Sequence, residues 1–320
     1  MSEPPPVVVA MTTEEREPVS VLLPTVEWGP ACTELADQVE PTDELLLICD
    51  TETDPIASRE TPPNTEVLTA GEPAGCSGKA NALAHGMERA EHDRFVWTDD
   101  DFTRPSDWLD RLVDAEEEHG PATVIPNFVG GGWWRLVEPT STVMSTLSMY
   151  LGRGPWAGNA WGGGVIFTRD DLNVDELVMD LRNCLSDDGV LSDHLGTVYP
   201  IRPMIADVPV PGDFVSVKER MTRFARITHV HEGLGGPLVV SLILVCLALL
   251  FPLYSIPLIT VASGVTYAVL GKKRWTFVLA YPALLILPLL FIAGITRREF
   301  EWADRRYRMN SANDIEVIDT

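Results

Sequence analysis

Short apolar runs alternate with amphipathic stretches through the first two thirds of the chain. Runs typical of buried strands lie at residues 18–25, 44–50, 65–69, 95–97, 123–125 and 161–167. Apolar residues at helical spacing mark residues 30–39, 79–91, 106–118, 143–150 and 190–195. This alternation predicts an α/β fold built from βαβ units, with a right-handed doubly wound sheet that is covered on both faces.

Acidic side chains follow two of the predicted strands. Asp50 ends the second run, and Asp99, Asp100 and Asp101 follow the fourth. Ligands of doubly wound sheets bind outside the carboxyl ends of the strands. Adjacent carboxylates repel one another unless solvent screens them or a cation binds them. Hard oxygen ligands suit Mg²⁺ or Mn²⁺, so we expect Asp99 and Asp101 to hold such an ion, although an isolated acidic turn is also typical of a solvated loop.

Two further positions carry candidate chemistry. Lys79 begins a predicted helix after a Gly-rich turn, and the sequence predicts that it pairs with a diphosphate or with Asp99. Asp187 and Asp188 precede another predicted helix. Neighbouring carboxylates in a cleft can titrate separately, so one can act as a general base, and the same pair also suits a helix N-terminus. The local residues leave both interpretations open.

The last third of the chain is mostly apolar. Residues 237–270 carry no charge and predict two short membrane spans, and a Pro-interrupted apolar segment follows at 275–295. Basic residues flank the block and lie in its loop, which predicts a two-span hairpin with all of these charges in the cytoplasm. The predicted divisions are a disordered acidic tail at 1–16, an α/β domain at 17–232, transmembrane or interfacial helices at 233–296, and a cytoplasmic basic-then-acidic tail at 297–320.

Composition narrows the classes of function. The net charge of −23 argues against nucleic-acid binding. The chain has four lysines, and so acidic a composition is typical of a halophile-like, high-salt cytoplasm, where salt screens self-repulsion. The five cysteines are scattered without C-x-x-C spacing and predict neither a disulfide framework nor a zinc site.

In their order along the chain these residues resemble glycosyltransferase family 2 with the GT-A fold, most closely its ceramide glucosyltransferase-like branch. That family has an aspartate after the second strand, a D-x-D-like cluster, an acidic pair and a (Q/R)-x-x-R-W motif. The matching positions here are Asp50, Asp99 with Asp101, Asp188 beside Asp187, and Arg223 with Arg226. Residues 78–83 match the family's G-K-x-x-A-L element, and residues 302–308 resemble the W-x-x-x-R-Y-R ending of the branch.

The resemblance implies a membrane-bound GT-A glycosyltransferase at the cytoplasmic face of a multi-pass cell-membrane segment. It implies transfer of a sugar, with inversion, from a nucleotide-diphosphate sugar to the hydroxyl of a lipid or lipid-linked acceptor. Asp188 would be the general base, and Mg²⁺ or Mn²⁺ the cofactor. The residues implied for catalysis are Asp187, Asp188, Arg223 and Arg226, and those implied for the donor and its metal are Asp50, Lys79, Asp99 and Asp101.

Two departures from the family pattern leave an alternative open. Ile227 stands in place of the family's tryptophan, and no apolar anchor precedes the first strand, so ceramide itself is not the expected acceptor. The alternative is a catalytically silent, membrane-anchored scaffold that retains the GT-A fold. The intact set of aspartates favours the enzyme. A transporter is disfavoured because the apolar segments are few and carry no buried charge.

Overall fold

The computed structural model describes residues 16–151, 158–231, 233–303, 305–312 and 314–319, so the predicted tail at 1–16 lies outside them except for Arg16. The strands are β1 (Val19–Pro24), β2 (Glu44–Cys49), β3 (Thr65–Thr69), β4 (Arg94–Thr98), β5 (Ala122–Gly130), β6 (Gly164–Thr168), β7 (Tyr199–Val210), β8 (Glu299–Trp302), β9 (Arg305–Ser311) and β10 (Asp314–Asp319). The helices are α1 (Pro30–Ala36), α2 (Gly78–Arg89), α3 (Trp108–His119), α4 (Trp134–Leu151), α5 (Val174–Leu181), α6 (Asp187–Leu195), α7 (Phe214–His231), α8 (Gly235–Leu250), α9 (Pro252–Val269) and α10 (Ala280–Thr296).

The main sheet has the strand order β3-β2-β1-β4-β6-β5-β7. β1 to β4 pair in parallel, and the predicted α/β doubly wound sheet is confirmed. β6 runs antiparallel to both of its neighbours, which the apolar pattern could not reveal because it carries no information on strand direction. The parallel part brings the carboxyl ends of β1, β2 and β4 to one edge, where the acidic residues lie.

Continuous apolar sequence in the central strands reflects burial on both faces of the sheet. Val21 and Leu23 of β1 belong to one apolar layer, while Leu22 belongs to the other, and all three side chains are fully buried. Strand residues point alternately to opposite faces, so a strand covered on both sides needs apolar residues at every position. The same two layers enclose β2 and β4, which fixes the register of the strands that end in aspartate.

The prediction missed β7, and its sequence explains why. This 12-residue strand contains Pro200, Pro203 and Pro209, which cannot donate to a sheet ladder and argue against a central strand. β7 lies at the edge of the sheet and pairs only with β5 among the described strands, so prolines are tolerated there. Helix α4 is also much longer than the predicted 143–150. It begins at Trp134, directly after the turn at Gly132.

The three apolar helices follow α7. Two segments, Pro252–Val269 and Trp275–Thr296, are long and apolar enough to cross a membrane, and α8 is a shorter apolar helix. Most side chains of α8 and α9 are exposed. The helix α10 instead packs against α7 and α4, and a Cβ added at Gly294 would lie 2.5 Å from Ala225 of α7.

A buried carboxylate ties the loop after α9 to helix α4. Glu138 of α4 is almost fully buried and accepts from Arg274 Nε at 2.7 Å and from the Thr276 hydroxyl at 2.6 Å. The Lys272 ammonium donates to the Thr142 hydroxyl, one turn further along α4, at 2.9 Å. Because a buried charge is stable only when it is paired, these contacts fix the end of α9 and the start of α10 against α4.

The segment that follows α10, predicted as a charged tail, folds as a three-stranded antiparallel sheet in its described part, with the order β10-β9-β8. Tyr307, Met309 and Phe300 of this sheet are buried with Leu185, which lies just before α6. The Arg-rich pattern concealed the sheet, because Tyr307 and Met309 alternate with Arg306 and Arg308, which lie on the other face.

Candidate active site

The ammonium group of Lys79 joins two of the predicted acidic positions. Its Nζ lies 2.7 Å from Asp99 Oδ1 and 2.8 Å from Asp187 Oδ2. Asp99 follows β4 and Asp187 begins α6, so one cation connects two elements that are far apart in sequence. Burial alone lowers the pKa of Lys79, but the carboxylates of Asp187, Asp99 and Asp188 outweigh it and raise this pKa above its ordinary value. Lys79 is therefore charged and holds the cleft together electrostatically.

Helix α2 presents Lys79 from its first turn. Ser77 caps the helix by accepting the Ala80 amide at 3.1 Å. Asn81 fixes the preceding Gly-rich turn by donating to the Gly71 carbonyl at 2.7 Å. Gly71 has a φ of +82°, a left-handed conformation that favours glycine. The Gly-rich turn thus positions the helix start, and it does not form the G-x-x-x-x-G-K-[ST] phosphate loop.

The turn after β4 separates the roles of its three aspartates. Asp100 accepts from the Thr25 hydroxyl at 2.8 Å, beside the end of β1. The guanidinium of Arg104, buried beneath the turn, donates to the Asp99 carbonyl and to the Thr98 hydroxyl. Asp101 lines the cleft, where loss of solvent, followed by the charges of Asp99 and Asp100, raises its pKa to about 6.

Asp187 and Asp188 occupy the first turn of α6, whose cap is Ser186. The pair therefore lies at a helix N-terminus, which was one of the two interpretations that the sequence left open. The Gly162 amide donates to Asp188 Oδ1 at 2.5 Å. Burial, followed by the charge of Asp187, raises the pKa of Asp188 to about 7, while Lys79 and the Gly162 amide limit the rise. A carboxylate in this environment can accept a proton near neutral pH.

The glycines before β6 are functional positions that the sequence pattern did not identify. A Cβ at Gly162 would lie 2.3 Å from Asp187 Oδ2, and one at Gly163 would lie 2.5 Å from Asp99 Oδ2. Glycine is needed because the backbone approaches both carboxylates. In the sequence these residues indicated only the start of a strand, since nothing local reveals what packs above them.

The predicted Arg223–Arg226 pair divides between two places. Arg223 lines the cleft, stacks on Trp302 with its Cζ 4.4 Å from the ring centroid, and is electrostatically close to Asp188. Burial and the neighbouring Arg220 lower the pKa of Arg223 to about 9. Arg226 instead donates from Nη2 to the Met309 carbonyl at 2.7 Å, on the C-terminal sheet. Arg220, which the sequence placed only in a basic run, lines the cleft and is electrostatically close to Asp101.

Asp50 lies beside the start of α2, where a Cβ at Gly78 would be 3.7 Å from its carboxylate oxygens. Its Oδ2 is 2.8 Å from Nη1 of Arg305, a residue of β9. The structure thus brings six predicted residues to one cleft with Arg223, namely Asp50, Lys79, Asp99, Asp101, Asp187 and Asp188. The remaining predicted residue, Arg226, is placed behind it.

Asp99 and Asp101 are the candidate ligands for a metal ion. No set of three or more Asp, Glu, His or Cys side chains within the described residues is close enough to hold an ion alone. Magnesium is commonly held by one or two carboxylates, with water and substrate phosphates completing its coordination. Asp99 and Asp101 both line the cleft, so this pair fits an ion that shares its ligands with a diphosphate.

One cavity of about 990 Å³ contains the polar site and extends to helix α10. Its far wall is apolar and includes Met144 of α4, Phe224 of α7, and Leu287, Leu290 and Phe291 of α10. A single space therefore offers carboxylates and cations at one end and an apolar surface at the other.

The sequence profile of the Glycosyl transferase family 2 matches residues 32–172. The predicted enzyme class, a glycosyltransferase, is confirmed by this match. It covers β2 to β6 and contains Asp50, Lys79 and the aspartate cluster after β4. The match carries no information on the ceramide glucosyltransferase-like branch. No curated protein matches the chain.

The fold is similar to solved structures of glucosyl-3-phosphoglycerate synthase from Mycobacterium tuberculosis. The complex with phosphoglyceric acid has 16% identity and a TM-score of 0.37, and the match covers 60% of this chain and 70% of that one. The complex of the same protein with Mn²⁺ and UDP-glucose has 17% identity, the same TM-score of 0.37, and coverage of 60% and 70%. The likeness is too remote to assign a ligand to this chain.

The role of Lys79 predicts a pH-dependent loss of stability in Lys79→Met. Without the ammonium, Asp188 loses the charge that limits the rise of its pKa, so its carboxyl binds a proton more tightly in the folded state than in the unfolded state. Folding is then favoured as pH falls and penalised as pH rises. We expect a larger decrease in melting temperature at pH 8 than at pH 5.5, measured by thermal unfolding in detergent.

The matched control is Lys218→Met, which removes a partly exposed lysine paired with Glu219 at 2.8 Å. Surface pairs contribute little, about 0–1 kcal/mol, so this variant should melt like the wild type at both pH values. An equal decrease for Lys79→Met at pH 5.5 and pH 8 would contradict the electrostatic role.

Proposed function

We propose that the protein is a membrane-bound, inverting glycosyltransferase that moves a sugar from a nucleotide-diphosphate sugar to the hydroxyl of a lipid or lipid-linked acceptor. The observation that carries this proposal is the single cavity that joins the aspartate–lysine cluster to an apolar wall on α10. A donor needs the polar end, and the chain of a lipid suits the apolar end. The family match supports the reaction class.

Asp188 is the proposed general base. Its raised pKa lets it take the proton of the acceptor hydroxyl as that oxygen attacks the anomeric carbon of the donor, with the diphosphate as leaving group. Direct attack by the acceptor on the face opposite the leaving group inverts the anomeric centre. The amide of Gly162 fixes Asp188, and Lys79 neutralises Asp187 beside it, so the proton is taken at a defined carboxylate.

Cations in the cleft offset the charge that develops on the diphosphate. Lys79 and Arg223 are buried and fixed by their contacts, so little reorganisation is needed when charge develops. Asp50 is the proposed contact for the nucleotide. A bound Mg²⁺ or Mn²⁺ would be held by Asp99 and Asp101 and would supply Lewis-acid stabilisation of the diphosphate oxygens. Arg226 contributes by fixing the C-terminal sheet behind Arg223.

The contacts of the apolar helices support a two-span hairpin formed by α8 and α9. α8 starts from α7, and the loop after α9 returns to α4 through Arg274 and Glu138. The two helices are about 24 and 27 Å long at 1.5 Å per residue, close to the hydrocarbon thickness of a bilayer of about 30 Å. α10 packs against α4 and α7, with Gly294 close to Ala225, which supports an interfacial position for it.

The position of the C-terminal sheet also supports a hairpin with two membrane crossings. It follows α10 and contacts the catalytic domain, for example through Arg305 and Asp50. Both sides of the apolar block therefore lie on one side of the membrane, which requires an even number of crossings. With the basic flanking residues, the proposed location of the catalytic domain and the tail is the cytoplasm.

Substitution of the proposed base tests the reaction. Asp188→Asn should fold and bind donor but lose turnover by on the order of hundredfold or more, because an amide cannot accept the proton. For the wild type, kcat/KM should rise with pH through about 7, since the base must be deprotonated. Transfer to a lipid extract is measured with a panel of labelled nucleotide-sugars, in high salt because the chain carries a net charge of −23.

The control is Asp180→Asn, which alters a largely exposed aspartate paired with His194 on the surface near α6. It should keep wild-type turnover. A near-normal rate for Asp188→Asn would remove Asp188 from its role. A wild-type protein that neither transfers nor hydrolyses any donor of the panel would favour the silent scaffold.

Removal of the metal should weaken donor binding. With EDTA, or in Asp99→Asn, we expect the affinity for nucleoside diphosphates to fall about tenfold or more, because a metal ion no longer links the carboxylates to the diphosphate. Calorimetric titration of UDP and GDP with and without Mn²⁺ measures this directly. Equal affinity in both conditions would count against the metal site.

Cysteine accessibility tests the topology. In a Cys246→Ala background, which removes the exposed cysteine of α8, Ser311→Cys places a thiol at the exposed end of β9. A membrane-impermeant maleimide should label it only after the cells are permeabilised. Labelling in intact cells would contradict the two-span hairpin.

A further inference from the structure

The C-terminal sheet delivers a cation to the donor end of the cleft. Arg305 begins β9, and its side chain is only 14% exposed. Its Nη1 lies 2.8 Å from Asp50 Oδ2, and its Nη2 lies 3.0 Å from Glu72 Oε2. A guanidinium that bridges two carboxylates is fixed in orientation as well as in position.

Gly78, at the start of helix α2, leaves room for the side chain of Arg305. A Cβ at Gly78 would lie 2.7 Å from Arg305 Nη1, so a larger residue there would displace the guanidinium. The Gly78 amide donates to the Tyr307 hydroxyl at 3.4 Å, which joins β9 to the helix that carries Lys79. Arg305 and Lys79 therefore approach the cleft from two sides of the same helix start.

The sheet that carries Arg305 is fixed in place. Tyr307 and Met309 are buried against Leu185, and Arg226 donates to the Met309 carbonyl. β9 alternates, so Arg305, Tyr307 and Met309 share the inward face while Arg308 lies on the outward face. Arg305 is thus held by the same packing that buries the sheet.

We propose that Arg305 is a donor-binding residue that contacts the nucleoside diphosphate beside Asp50. This inference rests on the proposed function and extends the donor site to a segment beyond the membrane helices. A nucleoside diphosphate adds negative charge to a cleft that already holds the carboxylates of Asp50, Asp99 and Asp101. Lys79 lies between Asp99 and Asp187. The part of the cleft beside Asp50 therefore needs a cation of its own.

The position and chemistry of Arg305 meet that need. Arg305 lines the same cavity as Asp50 and Gly78. Its Nε is buried and has no hydrogen-bond partner in the described part of the chain, so one donor of the guanidinium is unmet in the unliganded cleft. The planar fork of arginine binds phosphate oxygens in pairs, which a lysine ammonium cannot do in the same geometry.

The experiment compares donor binding by the full-length wild type, Arg305→Gln and Arg305→Lys in detergent. UDP and GDP are titrated with Mn²⁺ by calorimetry, and the KM for the donor and kcat are measured for the nucleotide-sugar that the wild type uses. We expect Arg305→Gln to weaken nucleotide binding and raise donor KM about tenfold, with a smaller change in kcat. Arg305→Lys keeps the charge but loses the fork, and should raise donor KM severalfold.

Arg308→Gln is the matched control, because Arg308 lies on the outward face of the same strand and pairs with Glu299 and Glu316. It should bind nucleotide like the wild type. If Arg305→Gln does not fold, as judged by its melting curve, the comparison of Arg305→Lys with Arg308→Gln decides.

Two results separate this inference from the proposed function. Folded Arg305 variants with wild-type nucleotide affinity, or with a lower kcat at unchanged KM, would overturn the role of Arg305 alone. A wild-type chain that binds neither nucleotide would overturn the proposed donor class and this inference with it.

Discussion

The contact of one buried ammonium with two carboxylates holds the cleft together. Lys79 joins the turn after β4 to the first turn of α6, and both partners are largely withdrawn from water. Withdrawing a charge from water costs several kcal/mol unless it is paired. Asp187 is buried beside Asp188, and this cation offsets the repulsion between the two adjacent carboxylates. The pKa of Asp188 also depends on this contact, because Lys79 limits the rise that burial and the charge of Asp187 cause. The glycine backbone at 162 and 163 approaches the same two carboxylates that Lys79 contacts.

Several cations line the cleft of a chain that is strongly acidic overall. In a chain with a net charge of −23 and four lysines, most of the surface is negative, yet several cations converge on one cavity. They are Lys79, Arg220, Arg223 and Arg305, and each has an acidic neighbour in the cleft. An acidic surface alone is explained by solubility in high salt. A cluster of buried, alternating charges at the ends of parallel strands is better explained by an anionic ligand that binds among them.

The sequence predicted the features that depend on local pattern and on the general geometry of parallel sheets. Asp50 and Asp99 could be placed at one edge because strands with parallel neighbours all end there. The reversed strand β6 could not be predicted, because the apolar pattern is the same in both directions. The edge strand β7 was missed because its prolines exclude only a central position. The roles of Arg223 and Arg226 could not be separated, since three residues along a helix change the facing by only a fraction of a turn.

The C-terminal sheet was the largest feature that the sequence pattern did not predict. It connects the apolar helices, which precede it in the chain, to the candidate site. Its contacts with Leu185 and with α7 are long-range, so no local window contains both partners. Because β9 brings Arg305 to Asp50, the chain must leave the catalytic domain, pass through the apolar helices and return before the cleft is complete. The anchor at Glu138 and the packing of α10 on α7 fix the geometry of that return. Displacement of α10 would therefore be transmitted to both ends of the cavity, since this helix forms the apolar wall and leads directly into the strands that carry Arg305.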